Sequence, residues 1–167
     1  MNLFQQGLPL ELDNIQSCKI IDSIGHYGPA ILFVITSYSL FERHIYLFVF
    51  VVGFILNSFM NLFLKQLFRE PRPKDPLPFI DSNNLIGNNY YGLPSGHAQS
   101  VFFSLTFLYL TNNSIFMLYI MSCITVITIY QRWKYRRHTI KQLIIGSFVG
   151  SLFAWIIIYI TKMYLHL

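Results

Sequence analysis

The chain has 167 residues, of which 54% are apolar and only 11% charged, against about a quarter charged in soluble domains. That imbalance, together with 16 Phe and 11 Tyr, excludes an ordinary water-soluble domain and points to a protein dissolved in lipid. The net charge of +5 is gathered in short segments, as in the basic flanks of membrane helices, so a nucleic-acid partner is not expected.

A helix needs roughly 20 mostly apolar residues to cross the hydrocarbon core. Residues 10 to 23 carry Leu12, Ile15, Cys18 and Ile21 at steps of three, with acids and amides between. This predicts a short amphipathic helix at the interface. The run 25 to 42 is a weaker span, because Gly28-Pro29 interrupts its start. Fuller runs follow at about 44 to 65, 96 to 111, 115 to 132 and 140 to 163. Tyr90, Tyr91, Tyr130, Trp133 and Tyr135 sit at run ends, as aromatic belts do. The long connection, about 69 to 94, is rich in Pro, Asn and Gly and reads as a surface loop. The expected fold is therefore an all-α polytopic membrane helix bundle. It would have about five transmembrane helices plus an N-terminal interfacial helix, in a single domain over 1–167.

No basic segment leads directly into an apolar core at the start, so no cleaved signal peptide is expected and the first membrane helix would serve for insertion. The two cysteines are Cys18 and Cys123. Cys123 lies inside an apolar run, so no disulfide framework is expected and the redox compartment stays open.

Crossing parity brings distant polar residues together. The helix ending at Lys65 and the helix starting near Ser95 share one loop, so both ends face one side. The chain crosses, turns at Thr111-Asn112-Asn113-Ser114 and returns at Arg132. Lys65, Arg72, Pro94-Ser95-Gly96-His97, Arg132 and His138 then share one membrane face. Polar stripes lead to it: Asn57, Asn61 and Lys65; Thr125, Thr128 and Arg132; and the i+4 line His138, Gln142, Gly146, Gly150 and Ala154. Small residues on that line allow close helix packing, and polar residues at membrane depth face the bundle interior. Each Asn or Thr alone reads more simply as interhelical glue.

The segments "KQLFREPRP", "GLPSGHAQ" and "RWKYRRH" place Lys65, six residues, Arg72-Pro73; then Pro94-Ser95-Gly96-His97; then Arg132, five residues, His138. In this order they resemble the type-2 phosphatidic acid phosphatase superfamily, whose signature is K-x6-RP, PSGH and SR-x5-H-x3-D. The resemblance covers 65–146, the implied catalytic core, and implies an integral membrane hydrolase acting on a lipid phosphate or diphosphate. By resemblance His138 is the nucleophile, forming a phosphohistidine, and His97 the general acid. Lys65, Arg72 and Arg132 would clamp the phosphate, with backbone N–H groups of Ser95 and Gly96 at a helix start. The resemblance implies no metal and no cofactor, and no dense carboxylate or Cys/His set stands in the sequence.

Two positions depart from the signature: Gln131 stands where it has Ser, and Gln142 where it has Asp. A Gln carbonyl can accept the same hydrogen bond from the histidine one turn away, but without the negative charge. The dolichyldiphosphatase branch carries "HT", two residues and Gln, and a "YG-x-PS-x-H" lead-in. "HTIKQ" at 138–142 and "YGLPSGHAQ" at 91–99 resemble both, and the glucose-6-phosphatase branch also uses Gln here. Gln142 thus reads as a branch mark, and Gln131 is unexplained. A polyisoprenyl diphosphate is the leading expected substrate. A broad phosphatidate phosphatase and a non-catalytic binding protein on the same fold stand as alternatives, with the oligomeric state open.

Arg43, Lys134 and Lys162 read as interfacial anchors. Arg69, Arg136 and Arg137 read the same way, with a second phosphate as the alternative contact. His26, His44 and His166 read as ordinary interfacial residues. The site side holds most of the Lys and Arg, which favours the cytoplasm. A dolichyldiphosphatase-like role implies instead the endoplasmic reticulum membrane, with a lumenal site.

Overall fold

The computed structural model describes residues 19–79, 90–112 and 114–165. They form α1 (Lys19–Ser39), α2 (His44–Phe68), α3 (Gly96–Thr111), α4 (Ile115–Lys134) and α5 (Ile140–Leu165). In lipid each backbone N–H and C=O must be satisfied within its own segment, which makes helices of the apolar runs. Hydroxyls at their starts complete the first turns. Ser114 Oγ accepts from Met117 N–H at 3.4 Å, and Thr139 Oγ1 accepts from Gln142 N–H at 3.2 Å.

Two expectations change. Residues 19–23 are the first turn of α1 rather than part of a separate interfacial helix; residues 10–18 lie outside the described residues. Gly28-Pro29 does not interrupt α1 either, since Pro29 lies inside the helix. Its missing N–H leaves only the Gly25 carbonyl without a helical donor, a defect membrane helices tolerate when packed. Gly25 and Gly28 are both buried. A Cβ at Gly28 would lie 1.9 Å from Thr128 Oγ1 and one at Gly25 2.5 Å from Gln131 Cβ, so the glycine that looked like a breaker, with Gly25, is what lets α1 lie close on α4.

Four helices, α1, α2, α4 and α5, are long and apolar enough to cross a membrane, and the chain is a multi-pass membrane protein. The fifth, α3, has 16 residues, roughly 24 Å at 1.5 Å per residue, shorter than the roughly 30 Å hydrocarbon core. It is the central element. Gly150 and Gly146 of α5 receive it closely, with Gln99 O 2.0 Å from where a Gly150 Cβ would stand. Further along α3, Phe103 and Phe107 pack with Phe50, Leu40, Ala154 and Ile158, the Phe50 and Phe107 rings meeting edge-on at 5.1 Å. A second cluster joins Leu32, Val101, Leu108 and Met121. Phe48, Ile55, Phe59, Ile144, Phe148 and Trp155 point outward, as lipid-facing side chains do.

At the face away from the site, Arg43 Nη1 donates to Thr111 O and Lys162 Nζ to Leu110 O at 3.4 Å. Both cap the C-terminus of α3, where the helix dipole favours cations.

Candidate active site

At the other face the chain ends are laced together. Arg69 closes α2 in the left-handed conformation (φ 48°), its N–H donating to Lys65 O at 3.0 Å, and the chain turns back across the helix ends. Gly92 N–H then donates to Glu70 O at 2.8 Å and Arg72 N–H to Tyr90 O at 3.3 Å, around an antiparallel bridge of Pro71 with Tyr91. This clasp holds the segment with Arg72 against the segment leading to His97.

Below the clasp lies a buried amide ladder. Asn61 Nδ2 donates to Pro94 O at 3.2 Å and to Gln99 Oε1 at 2.8 Å. Gln99 Nε2 donates to Asn57 O and Oδ1, each at 2.9 Å. Asn57 and Asn61 thus join α2 to α3, as the glue reading expects, whereas Thr128 bonds its own helix at Ile124 O. Lys65 continues the stripe upward and is buried.

His138 sits in the turn between α4 and α5 and is only 4% exposed. Its Nδ1 lies 3.0 Å from Gly92 O and 3.2 Å from Gln142 Oε1. The Gln142 amide is oriented by its surroundings: Nε2 donates to Glu70 Oε1 at 3.1 Å and Pro71 O at 2.9 Å, while Oε1 also accepts from Thr139 N–H at 3.3 Å. With two acceptors before it, His138 Nδ1 carries the proton, and Nε2 keeps its lone pair. Burial, then the charges of Arg72 and Lys65, hold the imidazole well below the usual histidine range, so it stays neutral. Arg132 adds to the same effect. Burial alone would raise the Glu70 carboxyl, but hydrogen bonds from Lys141 and Gln142 hold it below the usual carboxylate range. Space is tight here: a Cβ on Gly92 would lie 2.5 Å from Gln142 Oε1.

His97 opens α3, and Ser95 is the helix cap, its Oγ 3.5 Å from Ala98 N. The expectation that both Ser95 and Gly96 offer amides to an anion needs correction. Ser95 N–H donates to Gln142 O at 3.1 Å, leaving the first helical amides, of Gly96 and His97, which have no intrahelical acceptor. His97 Nε2 lies 3.1 Å from His26 O and against Arg132 Nη2. Arg132, 3% exposed at the end of α4, has Nη2 also 3.0 Å from His26 Nδ1.

His26 was read from the sequence as an ordinary interfacial residue; the fold puts it in the site, 106 residues from its partner Arg132. An ionisable residue about two turns into an apolar helix was the available signal. A cavity of about 400 Å³ lies beside it, lined by His26, Tyr27, Asn61, Leu62, Gly96 and His97 among others.

The remaining basic residues separate by position. Lys134 is no simple anchor: its Nζ meets both Asp22 carboxylate oxygens at 3.1 and 3.0 Å, and Tyr135 Oη donates to the same group at 2.8 Å. Arg137 is buried, with Nε and Nη2 lacking hydrogen-bond partners among the described residues. Gln131 is buried too, its amide likewise unpartnered, and its Cβ lies 2.5 Å from where a Gly25 Cβ would stand. The larger residue at the signature's Ser position thus fills space that Gly25 leaves on α1. Among the described residues no group of three or more His, Cys, Asp or Glu could hold a metal ion.

Neutral imidazole, buried guanidinium and amine groups, and a helix start together suit a tetrahedral anion whose charge shifts during substitution at phosphorus. The family model of the PAP2 superfamily matches residues 46–165. The chain belongs to the PAP2 superfamily. Its match to this superfamily covers α2 to α5 and leaves α1, with His26, outside. Among curated superfamily members, dolichyldiphosphatase 1 of Rhinolophus ferrumequinum is 31% identical over 133 residues, covering 69% of this chain and 52% of that protein. The Homo sapiens dolichyldiphosphatase 1 is 30% identical over 131 residues, with the same coverages of 69% and 52%. Lipid phosphate phosphatase epsilon 1, chloroplastic, of Arabidopsis thaliana is 32% identical over 111 residues, covering 62% of this chain and 36% of that one. The chain thus spans about half the length of the dolichyldiphosphatases it matches. The crystal structure of a transmembrane PAP2-type phosphatidylglycerolphosphate phosphatase from Bacillus subtilis superposes with a TM-score of 0.66 at 18% identity. It covers 87% of this chain and 76% of its own, a likeness of fold.

Proposed function

We propose that the chain is an integral membrane lipid phosphatase that hydrolyses a polyisoprenyl diphosphate, of the dolichyl diphosphate type, to the monophosphate without a metal ion. The observation that carries this reading is His138: Nδ1–H is held by Gly92 O and Gln142 Oε1, so Nε2 is the nucleophilic atom. Its lone pair attacks the terminal phosphorus, and the P–O bond to the bridging oxygen breaks. His97 gives that oxygen a proton. Lys65, Arg72 and Arg132 hold the equatorial oxygens, aided by the amide of Gly96. Water then attacks the phosphohistidine with His97 as base, releasing phosphate and restoring His138. Similarity to the dolichyldiphosphatases supports the substrate class.

The test is phosphate release from a polyisoprenyl diphosphate in detergent micelles with EDTA present. Wild-type protein turns over, and His138→Ala and His97→Ala each lose activity by at least about a thousandfold. Unimpaired release by either variant would sink the mechanism, and no release by wild-type protein would leave a non-catalytic binding protein. The Arabidopsis relative supports a second reading, a broad phosphatidate phosphatase; equal rates on phosphatidate and the diphosphate would favour it.

A further inference from the structure

Resting on the phosphohistidine reading above, we infer that His26 of α1 is a positioning residue for this site, holding Arg132 through its ring and His97 through its main-chain carbonyl. Arg132 can only donate, so its Nη2, 3.0 Å away, requires an unprotonated acceptor at His26 Nδ1. His97 Nε2 stands 3.1 Å from the His26 carbonyl, which can only accept, and against Arg132 Nη2, which can only donate, so the two contacts fix the place of the ring. One residue thus sets the orientation of the guanidinium that clamps phosphate and the position of the imidazole that protonates the leaving oxygen.

The fold holds His26 firmly. Phe79 lies edge-on to its ring at 5.5 Å and the His97 ring stands 6.0 Å away. Asp22, one turn earlier on α1, is tied to Lys134 and Tyr135 at the end of α4. The packing of Gly25 and Gly28 on α4 fixes the height of the helix. The residues matched by the family model do not include α1.

The experiment follows kcat/KM and the inhibition constant of vanadate, a trigonal-bipyramidal phosphate mimic, in wild-type protein, His26→Leu, His26→Asn and Arg132→Lys, with His138→Ala as a control. Replacing an acceptor of a charged donor is expected to lower kcat/KM about tenfold or more in His26→Leu, and to weaken vanadate similarly. His26→Asn, whose side-chain oxygen can reach the same place, recovers most of both. Because the ring acts through Arg132, His26→Leu costs little further in the Arg132→Lys background. A fold defect would instead persist there and would not be rescued by Asn.

Wild-type kinetics in His26→Leu, or a full penalty retained in the Arg132→Lys background, overturns the inference. If wild-type protein is active and His138→Ala is not, the phosphatase reading stands whichever way His26 falls. If wild-type protein is inactive on polyisoprenyl diphosphate and phosphatidate alike, both fall together.

Discussion

His138 Nδ1 lies 3.2 Å from Gln142 Oε1, one helical turn further along the chain. The amide does the orienting work of an aspartate without its charge. Its other end reaches a carboxylate, Glu70, at 3.1 Å. The negative charge missing next to the histidine is therefore present one residue further out, at reduced strength.

Gln142→Leu removes the acceptor and the donor together. It is expected to lower kcat by about ten- to a hundredfold, corresponding to about 1.5–3 kcal/mol for a hydrogen bond to a group that becomes charged. Gln142→Asp should also fall below wild type, because its shorter side chain leaves Pro71 O unpaired and brings a second negative charge toward Glu70. Adding Glu70→Gln should recover part of that loss. Steady-state kinetics of the four proteins in a double-mutant cycle checks the coupling, and an additive result would mean the two residues do not communicate.

The pH profile follows from the environment of His138. Burial, Arg72 and Lys65 hold its imidazole below the usual histidine range, and attack needs the neutral form. Activity should therefore persist as pH falls below about 6.5, the ordinary histidine value, with the acid limb of kcat/KM at lower pH. In Arg72→Gln one disfavouring charge is gone, protonation becomes easier, and the limb moves up in pH. The difference between the two profiles is the measurement, since ionisation of the substrate phosphate is common to both. An unmoved limb would count against a site shared by Arg72 and His138.

Close approach of α5 to α3, and of α2 to both, can be tested at two glycines. A Cβ at Gly150 would lie 2.0 Å from the backbone oxygen of Gln99, whereas one at Gly53 would meet only side chains, Ile157 Cδ1 at 2.9 Å and the buried Phe103 Cζ at 3.0 Å. Gly150→Ala should destabilise by about 3 kcal/mol or more and Gly53→Ala by less, about 1–2 kcal/mol. Thermal unfolding in detergent ranks them, and the reverse order would contradict the packing.

Asp22 is 3% exposed and accepts from both Lys134 and Tyr135. Asp22→Leu should cost about 1–3 kcal/mol by leaving those donors unpaired, and Asp22→Asn less, since it can still accept from Tyr135. Because α1 carries His26, Asp22→Leu should also lower turnover. Unfolding midpoints measured beside kcat/KM check both effects.

Hydropathy and crossing parity were enough to read the helices and the face at which Lys65, Arg72, His97, Arg132 and His138 would meet. Both depend on local pattern: a run long enough for lipid must be helical, and each crossing reverses the side. The i+4 line was legible for the same reason from Gln142 to Ala154, where the helical period alone puts it on one face; His138, in the turn before α5, is placed by the fold. What the period cannot supply is the rotation and height of one helix against another. Tertiary structure therefore decided that Gly28-Pro29 marks a packing face rather than a break, that Ser95 N–H bonds Gln142 O, and that the Gln142 amide turns toward Glu70. It also brought His26 to Arg132 across 106 residues, a meeting set by the seating of α1 glycines on α4.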